Sequence, residues 1–264
     1  MIHETAIIDP SAKIAANVEI SAYAVIGPDV EIGEHTWVGS HAVIKGPTRI
    51  GRYNKIYQFA SIGEATQALV ENPENGRLEI GDRNVIREYA TLNRGSEAHG
   101  GVTKIGNDCL LMAYTHVAHD CILGDHIIFS NGASIAGHVH IDDYAILGGF
   151  TMVHQFVHIG AHSFSGMGTA LNRDVPPYVT VAGYPAVAYG INKEGLKRRG
   201  FDQSVIRALH KAFMQLVKSR QKREDAVKAI KPLIKEHKEV AGFVDFILDS
   251  ERGIVRANSK SEAD

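Results

Sequence analysis

From Ile8 to Ile62 a large aliphatic residue returns every six positions: Ile8, Ile14, Ile20, Ile26, Ile32, Val38, Ile44, Ile50, Ile56 and Ile62. Two places before each stands a smaller residue, beginning Ala6, Ala12, Val18, Ala24 and Val30. A period of six suits neither an amphipathic helix nor a coiled coil, whereas two inward residues separated by one outward residue is strand alternation. The pattern predicts a parallel β-helix in which each hexad is a short strand plus a corner. Three hexads close a triangular coil of roughly 18 residues, and the next coil stacks about 4.8 Å above it through parallel ladder bonds. One coil cannot bury its own interior, but a stack of them makes a continuous core. Gly27, Gly33, Gly39, Gly51 and Gly63 each follow the large aliphatic and are expected at the tight corner bends.

The register breaks twice. Residues 64–77 are polar, with Asn-Pro and Asn-Gly turn signals, and read as an excursion out of the coil. Rungs resume at Ile80, Ile86 and Leu92, then stop over a second excursion at 95–101. From Ile105 to Leu171 the six-residue spacing holds again, with Ser165 as the one polar slot. Loops ejected from a rigid scaffold commonly carry function. Val175-Pro176-Pro177-Tyr178 is expected to close the coil, because consecutive prolines cannot sustain a ladder. Beyond Asn192 the apolar spacing becomes three to four, predicting amphipathic helices with Asp202 as a cap, a new start near Glu224 and a kink or restart at Pro232. The chain thus divides into a β-helix over 1–190 and a helical domain over 191–264 that ends in a frayed tail.

With 28 basic and 30 acidic side chains the net charge is -2, and no basic stripe of the size a nucleic-acid binder needs occurs. Neither an export signal nor an apolar run long enough to span a membrane appears, which points to a cytoplasmic protein without stable membrane insertion. Cys109 and Cys121 fall on the small inward column and read as reduced core residues.

Nine of the fourteen histidines lie between His99 and His162. Val117, Ile135 and Val153 share one face in successive coils, so His116, His119, His138, His154 and Gln155 gather there. One coil above His119 stands Gly137, which leaves space and an accessible backbone N–H beside the imidazole. An imidazole can take the proton of a hydroxyl, and a bare N–H can hold the oxyanion formed when that hydroxyl attacks a thioester. Acyl transfer is the reaction class this suggests. Asp120 can orient the ring provided a corner intervenes, since strand neighbours otherwise point to opposite faces. His140 over His158 reads as a solvent-facing ladder.

The segments Ile56-Tyr57-Gln58-Phe59-Ala60-Ser61-Ile62-Gly63-Glu64, Ala118-His119-Asp120-Cys121, Ala136-Gly137-His138-Val139, Val153-His154-Gln155-Phe156, Asp174-Val175-Pro176-Pro177-Tyr178-Val179 and Glu194-Gly195-Leu196-Lys197-Arg198-Arg199-Gly200-Phe201 resemble the acyl-[acyl-carrier-protein]–UDP-N-acetylglucosamine O-acyltransferase family. The resemblance covers nearly the whole chain. It implies a left-handed parallel β-helix of hexapeptide repeats followed by a small helical domain, a homotrimer, no metal or cofactor, and transfer of an (R)-3-hydroxyacyl group from acyl carrier protein to the 3-hydroxyl of the UDP-sugar in lipid A biosynthesis. It further implies His119 as general base, Asp120 as its partner and Gly137 as oxyanion donor. His116, His138, His154 and Gln155 would contact substrate, with Asn192, Glu194 and Arg198 at the nucleotide end. Met167 matches the side chain that measures acyl length, implying a chain of about ten carbons. Lys197 and Arg199 sit in a basic run suited to docking the acidic carrier protein. Ala68, Val70, Asn93 and Ser96 depart from the residues usual there, which leaves open a paralogue acylating a 3-amino sugar nucleotide. The related N-acyltransferase and a zinc hydratase of the γ-carbonic anhydrase type remain as other hexapeptide-repeat alternatives.

Overall fold

The computed structural model describes residues 1–69, 75–96, 100–219 and 221–258. Every hexad becomes a strand of two to five residues, and these stack into three sheets of nine, eight and ten strands. Wall one runs from Ile7–Ile8 up through His116–Val117, Ser134–Ile135 and Met152–Val153. Wall two includes Ile122–Leu123, His140–Ile141 and His158–Ile159, and wall three includes Leu110–Leu111, Ile146–Leu147 and Phe164–Ser165. Pairing from coil to coil is parallel, with Val117 beside Ile135 and Ile135 beside Val153. The periodic aliphatics, Ile26, Ile44, Ile62, Leu92 and Val117 among them, form the buried interior. Ser165 is tolerated inside because its hydroxyl lies 2.8 Å from Thr151 Oγ1 and accepts the Gly148 N–H. Cys109 and Cys121 are free thiols, and burial pushes both up to about 12.

The corners depart from expectation. Of the five glycines following a large aliphatic, Gly63 alone has positive φ. The left-handed residue is instead the third after the aliphatic, and it is filled by Tyr23, Asp29, His35, His41, Tyr53 and Phe59 with φ between 53° and 58° up to 61° at Phe59. Stacking at 18-residue intervals compensates this conformation by laying ring on ring, as in Tyr23 on His41 and His41 on Phe59 at 5.2 and 5.3 Å. Gly33 is required for a different reason: a Cβ there would meet the Gly51 carbonyl oxygen of the next coil at 2.6 Å.

Both excursions leave the corner between walls one and two. The first lies between strands Ser61–Glu64 and Arg77–Ile80, the second between Thr91–Asn93 and Val102–Ile105. Asn93 Nδ2 donates to Ala65 O at 2.8 Å, tying the bases of the two loops together.

The prolines do not close the coil as predicted. Past them, Val179–Ala182 still pairs in parallel with Phe164–Ser165, and Val187–Ile191 then returns antiparallel to it. A β-ladder tolerates Pro176 and Pro177 because they stand just before the strand. Helices follow at α1 Lys193–Arg198, α2 Gln203–Phe213, a π turn Met214–Lys218, α3 Arg223–Ala229, α4 Lys231–Glu236 and α5 Lys238–Asp249. Asp202 occupies the N-cap of α2 without a side-chain capping bond, while Pro232 sits in the first turn of α4 and so marks a restart. No helix among the described residues is long and apolar enough to cross a membrane.

Candidate active site

The same corner that ejects the loops carries, in the next coils, His119-Asp120, Gly137-His138 and Gln155-Phe156. Asp120 is the left-handed corner residue, with φ 59°. That twist brings adjacent side chains together, and His119 Nδ1 lies 2.8 Å from Asp120 Oδ2. The carboxylate is buried and doubly anchored: Ser96 donates its N–H at 3.0 and 3.1 Å to the two oxygens and its Oγ–H at 2.6 Å to Oδ2. The Asp120 N–H donates to Thr103 Oγ1 at 2.8 Å. A carboxylate fixed in this way retains the hydrogen on Nδ1 and leaves the lone pair on Nε2.

Nε2 faces Gly137. A Cβ on that residue would lie 2.6 Å from both Cε1 and Nε2 of His119, so only glycine lets the imidazole rest there. Ala136 N–H donates to Val153 O and His138 N–H to His119 O, but among the described residues no acceptor takes the N–H of Gly137. His138 stands edge-on to His119 with ring centroids 5.0 Å apart and lies flat on Phe156 at 4.4 Å. His116, one strand below the corner, has Nδ1 2.7 Å from Thr91 Oγ1. Burial, reinforced by His119, lowers its pKa from the usual imidazole value. His154 and Gln155 are exposed in the coil above, with His154 Nδ1 3.1 Å from Gln155 O.

The remaining candidates lie elsewhere on the chain. Met167 is 80% exposed at the opposite edge of wall one, near Gly149. Asn192 caps α1, accepting the Gly195 N–H at 3.1 Å and donating to His162 O at 3.0 Å, so both ends of its amide are engaged internally. Glu194 and Lys197 pair with each other at 2.9 Å, and Arg198 is exposed. Arg199 packs over the Tyr144 ring at 5.1 Å and donates to Tyr144 O, which makes it an anchor of the helical domain on the corner between walls two and three. Val70 and His99 lie outside the described residues. Ala68 is described, its N–H donating to Thr66 Oγ1 at 3.1 Å.

Ser96, Thr103 and Thr91 support the site without having been assigned supporting roles from the sequence. Among the described residues, two groups of three could hold a metal ion: His119, Asp120 and His138 at the corner, and His140, Asp142 and His158 on wall two.

The stacked six-residue rungs define a hexapeptide-repeat protein, and a carboxylate-held imidazole packed against a glycine is chemistry suited to acyl transfer. The bacterial transferase hexapeptide model matches residues 103–137, and the model for the second domain of UDP-N-acetylglucosamine O-acyltransferase matches 174–255. A Pseudomonas putida protein named acyl-[acyl-carrier-protein]–UDP-N-acetylglucosamine O-acyltransferase is 52% identical over 97% of this chain and 99% of its own. Solved structures of UDP-N-acetylglucosamine acyltransferase from Francisella novicida (41% identity, covering 100% of this chain and 97% of that one, TM-score 0.94) and of the Acinetobacter baumannii homologue (47%, 97% and 99%, 0.93) superpose along the whole length. The chain belongs to the acyl-[acyl-carrier-protein]–UDP-N-acetylglucosamine O-acyltransferase family.

Proposed function

We propose that this protein transfers an (R)-3-hydroxyacyl group from acyl carrier protein to the 3-hydroxyl of UDP-N-acetylglucosamine, the first step of lipid A biosynthesis, in the cytoplasm and as a homotrimer. Family membership supports the reaction, and the observation that carries the mechanism is Gly137, packed against the His119 imidazole with its N–H given no acceptor among the described residues. Nε2 of His119 removes the proton of the sugar hydroxyl as its oxygen attacks the thioester carbonyl, while Asp120 offsets the charge gained by the ring. The carbonyl oxygen becomes an oxyanion held by the Gly137 N–H. Collapse of this intermediate breaks the carbon–sulfur bond, and the imidazolium returns its proton to the departing carrier thiolate. The route uses no metal and no cofactor.

Several placements favour a site shared between subunits. The base corner, the ruler candidate Met167 and the nucleotide candidates Asn192, Glu194 and Arg198 stand at three different edges of one chain. Exposed apolar side chains, among them Met152, Phe156, Met167 and Tyr184, await a covering surface. Docking of the acidic carrier then rests on Lys197 and Arg198 more than on Arg199, which is engaged by Tyr144.

Mass analysis of products from purified protein offered UDP-N-acetylglucosamine, its 3-amino analogue and carrier thioesters of about ten and fourteen carbons tests the reading. The expected product is the sugar ester with the shorter chain. An amide formed on the amino sugar alone would establish the paralogue suggested by Ala68 and Val70, and preference for the longer chain would remove Met167 as the ruler.

A further inference from the structure

His140 and His158 stand one above the other on wall two, in successive coils, and Asp142 follows one residue past Ile141. His158 Nε2 lies 3.0 Å and His140 Nε2 3.3 Å from the same oxygen, Asp142 Oδ1. One donor atom from each of the three falls within 4.8 Å of the others. The rings are also unlike the corner stacks. Tyr144 and His162 lie at 4° and His35 and Tyr53 at 11°, whereas His140 and His158, with centroids 4.6 Å apart, are tilted by 42°. They have given up parallel stacking to aim both Nε2 atoms at one point.

Two of the three residues are tied to neighbouring elements. The His158 N–H donates to Asp174 Oδ1 at 2.9 Å and its ring rests against Phe246 of α5 at 4.6 Å. The Asp142 N–H donates to Ile159 O at 2.9 Å. Side-chain exposures of 51%, 38% and 30% for His140, His158 and Asp142 leave a solvent-facing position for water as a further ligand. Two imidazoles and a carboxylate suit zinc and its first-row neighbours, and disfavour magnesium and calcium, which take all-oxygen sets.

We propose that His140, Asp142 and His158 form a binding site for a divalent first-row transition ion, separate from the acyl-transfer corner. The bound ion links two successive coils beneath α5 and acts as a structural clamp. In binding, each Nε2 gives its lone pair to the ion, with the ring hydrogen carried on Nδ1, and Asp142 turns from hydrogen-bond acceptor to ligand. The site does not depend on the proposed acyl transfer, and its test leaves that reaction as a separate readout.

Full-length protein stripped with a chelator is titrated with Co2+ alone, and visible d–d absorption, stoichiometry and thermal midpoint are followed. The expected result is one cobalt per chain, displaced by Zn2+, with Zn2+ raising the midpoint. His140→Ala and Asp142→Asn should each weaken binding by at least about tenfold, with acyl transfer retained. His119→Ala should leave the cobalt spectrum unchanged, which separates this cluster from the corner group. Absent d–d bands, bands that survive His140→Ala and Asp142→Asn, or bands lost in His119→Ala would each overturn the assignment.

Discussion

At the residue scale, Gly137 matters for what it lacks. Its backbone is outside the left-handed region, so alanine would be conformationally acceptable, but the added methyl would stand 2.6 Å from His119 Nε2. Gly137→Ala should therefore displace the base and lower turnover by about 10²-fold or more while the thermal midpoint stays close to the parent's, measured by carrier-thioester assay and thermal melt. Ser96 acts through Asp120. Removing its hydroxyl deletes a charge-assisted bond worth about 1.5–3 kcal/mol, so Ser96→Ala should lower kcat roughly tenfold with KM unchanged, and Ser96→Thr should restore it. An unchanged kcat would show that the Ser96 N–H alone holds the carboxylate. His119 and Gly137 were readable in the sequence because the stacking interval is a constant 18 residues there. Ser96 was not, because the excursion widens the interval to 25 between Thr91 and His116. Whether Asp120 could turn toward His119 was equally hidden, since the left-handed slot is marked by no single residue type.

Among the elements, the corners give a pH-dependent contribution. His162 is stacked between Tyr144 and Tyr178, and burial, aided by the nearby Arg199, lowers its pKa to about 4 from the usual 6.5. The unfolded chain then takes up a proton in a range where the folded one does not. The resulting stability is fully present above about 6.5 and is lost as pH falls toward about 4. His162→Phe, which keeps the stack, should flatten the thermal midpoint across that window; an unaltered slope would refute the assignment. The six-residue period revealed the strands, and the shift to three-to-four spacing revealed the helices. The continuation past Pro176 was not legible, since sequence gives the loss of an N–H without saying that the next strand rejoins the ladder. Nor did sequence indicate that both loops issue from the corner that carries His119, since their lengths alone hide which wall the chain re-enters.

Across the whole molecule, one chain holds the base corner, the ruler candidate and the nucleotide candidates at separate edges, so three copies should be needed for activity. Sedimentation should return a particle of three 28.7 kDa chains. His119→Ala and Arg198→Ala proteins, each inactive alone, should regain activity when refolded together, because some mixed sites then combine an intact base with an intact nucleotide contact. Failure of that complementation, with mixed particles present, would place both groups in one subunit's site. The proposed mechanism depends most heavily on His119, and the most direct measurement is turnover of His119→Ala with carrier thioester and UDP-N-acetylglucosamine, on protein verified to be folded and of parental size. A loss of about 10²-fold or more is predicted; turnover near the parent's would contradict the mechanism.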